Sequence, residues 1–212
     1  MRAIAILCIT LILTGCASAV YDSLDRRGVS SSDILKQRLD EFRADATAGE
    51  KSLSDAIAAL DAIEGLDREP LALQLNRTRA AGNDAALASQ QFRLSSDSLE
   101  AAASRYFKDK QDELAALAGD DQAAQTFKSK LDASQTAFRS LSKSIDGAKL
   151  RLSPALSLYD AEVTALRSKP TDGAFAASRK QSTDAAKAAM QDADVAVRQT
   201  KDQINEFQTT LF

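Results

Sequence analysis

The chain has 212 residues, a formal net charge of −3, and neither histidine nor tryptophan. Without histidine it lacks the commonest general base and transition-metal ligand, and the Glu-x-x-His pairs of di-iron bundles cannot occur. Its charges of both signs are interspersed, with no basic stripe for nucleic acid and no polybasic membrane patch, while abundant alanine with 8 glycines and 3 prolines favours helix over sheet.

The first element is a processing signal. Arg2 is a positive start, Ala3 to Leu13 form an apolar run interrupted only by Thr10, and the small residues Gly15, Ala17 and Ser18 follow. That layout reads as a secretory signal peptide, too short to span a bilayer well. Leu13-Thr14-Gly15-Cys16 resembles the bacterial lipobox. The resemblance implies a diacylglyceryl thioether on Cys16, cleavage between Gly15 and Cys16, and acylation of the new amino group. A thiolate supplies the nucleophile for such a step. The alternative is an ordinary signal peptide that happens to precede a free thiol. On the lipoprotein reading residues 1–15 are removed, Cys8 with them, and the mature chain keeps one lipid-capped cysteine and no disulfide. Without Arg2 it carries 26 basic and 30 acidic side chains, a net charge of −4. No Asp follows the cysteine, which by the enterobacterial sorting rule points to the outer membrane, facing the periplasm.

Residues 16–29 read as a lipidated tether with a short helix in Tyr21 to Val29, ended by Gly28. Its Asp25-Arg26-Arg27-Gly28 segment is either a solvated turn or a docking point for a lipid headgroup or partner beside the anchor. Residues 30–212 form the helical domain. Ser30 with Asp33 reads as a capping box opening a helix from about Asp33 to Glu64. The seam of that helix is Leu35, Leu39, Phe42, Ala46, Leu53, Ile57 and Leu60, weakened by Gly49, with Gly65 as C-cap. Asp67 caps the second helix, with Pro70 in its first turn and an end near Ala118.

The seam of the second helix runs Leu71, Leu75, Thr78, Gly82, Ala85, Ser89, Phe92, Ser96, Leu99, Ala103, Tyr106 and later Leu117. So many small members imply either close helix approach or loose packing, and Gly82-Asn83-Asp84 is a candidate break. Gly119 stops it and Asp120 or Asp121 caps the third helix. The third helix carries Phe127, Leu131, Ser134, Phe138, Leu141, Ile145, Ala148 and Leu152, with a kink expected at Pro154. Beyond it, Tyr159, Val163 and Leu166 continue the face. Lys169 to Gly173 is the clearest turn. A fourth helix from about Ala174 to Gln208 has the seam Ala186, Met190, Ala193, Val197, Thr200, Ile204 and Phe207. The fold class is all-α: an elongated antiparallel bundle of about four long amphipathic helices with coiled-coil character.

Two blocks carry a family resemblance. Tyr21, Asp25, Arg26 and Gly28, followed by Asp33-Ile34-Leu35 and Arg38, resemble the start of an uncharacterised family of bacterial coiled-coil lipoproteins, a domain of unknown function. Leu152-Ser153-Pro154-Ala155-Leu156 resembles its Met-x-Pro-Val-Leu block. Where that family has His-Lys-Arg, this chain has Ser30-Ser31-Ser32, so no role of that basic cluster carries over. The resemblance implies an α-helical envelope lipoprotein and no reaction chemistry.

Chemistry finds little footing. Both cysteines fall within the first sixteen residues, no phosphate-cradling glycine loop appears, and the Asp109/Glu113 pair at i,i+4 reads as a solvated helix face. No catalytic, metal or cofactor residue is expected, and no cofactor beyond the covalent lipid on Cys16. The chain reads as a scaffolding lipoprotein whose partners are the membrane, through its anchor, and envelope proteins or a second copy, with no nucleic acid. The alternative is a chaperone-like accessory lipoprotein that binds a client through the small-residue seam of the second helix. Hydrolysis of cell-wall material is the remote third reading.

Overall fold

The computed structural model describes residues 29–63, 68–117, 121–168 and 173–211, leaving aside the side chains of 68–70 and 173–179. Helix α1 spans Ser31–Asp61. Ser30 caps it in an extended conformation; its hydroxyl accepts from the Asp33 N–H at 3.1 Å and donates to the Asp33 carboxylate at 2.7 Å. The capping box is therefore half-reciprocal: the carboxylate holds the hydroxyl, not a second backbone N–H. Helix α1 ends three residues before Glu64. The Ile63 N–H bonds to the Leu60 carbonyl at 3.2 Å, tightening the last turn into i→i+3 geometry. The expected caps Gly65 and Asp67 lie outside the described residues.

Helix α2 spans Arg68–Ala116, with Pro70 third in line, and runs unbroken through Gly82-Asn83-Asp84. The suggested break is thus corrected. Helix α3 spans Asp121–Ser168, so Asp121 is its first residue; Gly119 and Asp120 lie outside the described residues. It stays continuous past Pro154, which faces solvent. There the Leu150 carbonyl that loses its ladder donor can be hydrated. Helix α4 spans Gly173–Thr210 and opens on the last residue of the expected turn, whose other members, 169–172, are outside the described residues.

Helix α1 packs against α2 and α4, and α3 packs against the same two, closing a four-membered ring. Cross-helix bonds fix antiparallel registers. The Thr78 hydroxyl lies 3.1 Å from the Ala59 carbonyl, Lys149 reaches Asp97 at 2.8 Å, the Ser134 hydroxyl donates to the Thr210 carbonyl at 2.6 Å, and Arg43 donates to Asn205 at 2.9 Å. At ~1.5 Å per residue α2 is about 73 Å long. The α2–α3 hairpin outreaches its neighbours: none of the described residues between 108 and 130 is buried, whereas Phe107 and Leu131 are.

The core follows the four apolar stripes with few exceptions. Ala56 takes the buried place expected of Ile57, which packs from the margin. At the end of the ring Phe107, Phe138 and Phe207 form a tilted aromatic cluster with centroids 5.2–6.3 Å apart. Leu117 and Phe127 are only half-buried because they sit on the projecting hairpin, beyond the reach of α1 and α4. Gly82 is where the small seam of α2 matters most. A Cβ there would lie 2.5 Å from Cε1 and 2.9 Å from Cδ1 of Tyr159. The Tyr159 ring thus packs directly on the helix at Gly82, and its hydroxyl donates to the Thr78 carbonyl at 2.7 Å. Burial pushes that phenol well above its ordinary pKa. The choice left open for the α2 seam resolves there to close approach. By contrast, a Cβ on the buried Gly49 would meet nothing within 4 Å.

Candidate functional site

Of the positions singled out in the sequence, Gly15, Cys16, Tyr21, Asp25, Arg26 and Gly28 lie outside the described residues. Asp33 holds the cap of α1, and Ile34 and Leu35 are buried just behind it. Arg38 pairs with Glu41. Pro154 sits on the exposed side of α3, between the buried Leu152 and Ala155. Each of these residues has a structural duty: capping, core filling or solvated helix surface.

The Asp109/Glu113 pair is likewise absorbed by its surroundings. Lys110 reaches both Glu113 oxygens, at 2.8 and 2.9 Å, and lies 5.8 Å from the Tyr106 ring centroid. The buried hydroxyls are spent on helix carbonyls: Ser96 on Arg93 at 2.7 Å and Thr200 on Ala196 at 2.9 Å. Among the described residues no group of three or more carboxylate, histidine or cysteine side chains is placed to hold a metal.

The densest charge constellation is a clasp between α1 and α4 that sequence reasoning missed. Glu50 accepts from Lys201 and pairs with Arg198 at 3.1 Å; the same guanidinium reaches Asp194 at 2.7 Å. Asp194 is 7 % exposed, and its Oδ1 has no partner. The two carboxyls move in opposite directions. The Lys201 hydrogen bond holds Glu50 below its ordinary value of 4.5, outweighing its burial. Burial pushes Asp194 above its ordinary 3.8, against the pull of Arg198. Asp194, Arg198 and Lys201 share one flank of α4 at steps of four and three. That line is the only trace in the sequence, since Glu50 lies far away in the chain.

The sign of the pH effect differs for each. A lowered folded-state pKa means that Glu50 contributes stability above its unfolded value, and that this is lost as pH falls through the folded value. Asp194 behaves oppositely: the cost of its buried charge is relieved as pH falls through its raised value. Glu50→Gln should therefore cost up to about 1 kcal/mol at neutral pH, as partly exposed pairs do. The difference from the parent should shrink as pH drops below about 4.5, read by urea denaturation at pH 7 and in acid. A pH-independent difference would mean that the clasp does not hold Glu50 ionised.

Two shallow grooves flank α3. One, of about 390 Å³, lies against α2 between Gln90, Arg93 and Ser153, Ser157, Asp160; the other, of about 500 Å³, lies against α4 between Lys143, Ser144 and Gln199, Asp202. Both are lined largely by polar side chains. The small-residue seam of α2 opens into neither as an apolar channel: Ala85, Ser89, Ser96 and Ala103 are all buried, and only Ser89 touches the rim of the first.

A family model described as Protein of unknown function (DUF2959) matches residues 20–210. No curated protein and no solved structure matches the chain.

Proposed function

We propose, from the premise that the chain belongs to the DUF2959 family of proteins of unknown function, that it is a lipid-anchored scaffold of a bacterial cell envelope. It is held through Cys16, most simply in the outer membrane and facing the periplasm. Its closed helical body presents a surface to envelope partners and performs no reaction of its own. The observation that carries this reading is the closure of the core. The apolar stripes of all four helices meet inside one ring, and the α2 seam that could have formed a client groove is filled. Among the described residues no helix is long and apolar enough to cross a membrane, and in this reading attachment is the work of the lipid alone.

A scaffold with a closed core should bind no hydrophobic dye in its native state; a chaperone-like groove should bind it. The soluble chain beginning at Ala17 is therefore expected to leave such a dye dark at neutral pH while giving strongly helical circular dichroism. Bright dye binding by a fully helical sample would favour the client-binding alternative.

A further inference from the structure

The α2–α3 hairpin projects past both flanking helices, and the chain that enters α1 comes from the same end. Thr78 lies opposite Ala59, and the Phe42 and Phe92 rings meet at 5.0 Å, which sets Ser31 level with about Ser104 on α2. Helix α4 stops at Thr210, level with Ser134, with residues 121–133 of α3 still ahead of it. Among the described residues, therefore, neither α1 nor α4 flanks the end of the hairpin. Apolar side chains nevertheless continue there. Leu114 and Leu117 on α2 and Ala124 on α3 are half-buried, and Leu114 packs against the margin of the core. Two helices alone cover only part of each other's apolar stripes. Val29 also packs against the core, and Ser31 is buried. The chain is still on the bundle at the first described residue.

We propose that the segment just before α1, residues 20–28, docks on this end of the hairpin, with Leu24 on Leu114 and Tyr21 on Leu117. The length fits. From Ser104 to Leu117 is about 20 Å of helix. Tyr21 to Gly28, as the short helix expected from the sequence, spans about 12 Å. Ser30 is extended, and with Val29 it adds about 7 Å. The spacing fits as well. Val20, Tyr21 and Leu24 share one face of a helix. Run antiparallel to α2, the step of three from Leu24 back to Tyr21 matches the step of three from Leu114 on to Leu117. A plain tether needs no such face. Covalent linkage favours this occupant over a second copy. Joined to Val29, the segment meets the hairpin at an effective concentration on the order of millimolar, so a few apolar contacts suffice. A separate chain would have to bury a far larger interface to stay bound.

Seated in this way, residue 20 lies at the tip of the hairpin, and Cys16 is four residues further on. The tip then faces the membrane and the four-helix ring faces away from it. That orientation, unlike the docking itself, rests on the lipid anchor proposed above.

The test uses the full chain in membranes of the cells that produce it, carrying Leu24→Cys with Leu114→Cys and treated with a short bismaleimide. Peptide mass spectrometry of the monomer should find the two positions joined. Leu24→Cys with Leu73→Cys, near the other end of α2 and 57 % exposed, should give no link. Trypsin supplies a second readout without new cysteines. Arg26 and Arg27 should be cut slowly in the parent, and Leu114→Glu with Leu117→Glu should remove that protection, with unchanged helical content because both leucines are only half-buried. Absence of the 24–114 link, an equal 24–73 link, or cleavage as fast in the parent as in the variant overturns the proposal. So does a 24–114 link found only between two chains, which makes a second copy the occupant. The link is scored on positions 24 and 114 whether or not Cys16 carries lipid, so membrane fractionation of the same samples reads the anchor separately.

Discussion

Tyr159→Ala should destabilise the bundle by about 3–5 kcal/mol, the range for emptying a fully buried aromatic site. The residue is 2 % exposed and joins α3 to α2 by ring contact and by a hydrogen bond. Against a total stability of ~5–15 kcal/mol for a domain, that loss should be plain in urea denaturation. Tyr159→Phe separates the two contributions. It keeps the ring against Gly82 and removes only the bond to the Thr78 carbonyl, at a cost of about 1 kcal/mol.

Gly82→Ala supplies the complementary test. A methyl 2.5 Å from Cε1 of the ring forces the tyrosine or the helix to move, which costs about 1–3 kcal/mol. Alanine returns up to about 1 kcal/mol of helix propensity. The net effect in the parent should be destabilising. In the Tyr159→Ala background the clash is gone, and the same substitution should become stabilising. A reversal of sign between backgrounds identifies close approach as the reason for glycine; equal effects in both would mean that Gly82 and Tyr159 are not coupled.

Cys16→Ala should move the protein out of the membrane fraction almost completely. In the proposed function each long acyl chain on Cys16 adds on the order of 10 kcal/mol of membrane affinity, and no other attachment is invoked. Cys8→Ala should change nothing, because in the proposed function that residue is removed with the first fifteen. Unaltered membrane fractionation of the Cys16→Ala chain would refute the lipoprotein assignment.

How much was legible in the sequence depends on the range of the interaction. The inward seams of α1, α3 and α4 follow from three-four spacing alone, and nearly every residue assigned to them is buried. The seam differs where two candidates stand side by side: Ala56 and Ile57 both fit, and the smaller one is fully buried while Ile57 packs from the margin. Gly82-Asn83-Asp84 resembles a break because local propensity is poor there. The helix persists because a tyrosine 77 positions further on fills the space glycine leaves. The clasp of Glu50 with Arg198 and Lys201 was invisible for a related reason: which helix neighbours α1 is settled by the order of the ring, and the pattern of any one helix does not record it.

The measurement that bears most directly on the proposed role is the intact mass of the protein extracted from its own membranes. An anchored scaffold predicts a chain that begins at Cys16 and carries a diacylglyceryl thioether there, with nothing of residues 1–15. A chain with an unmodified Cys16 thiol, or one that retains Met1, would contradict it.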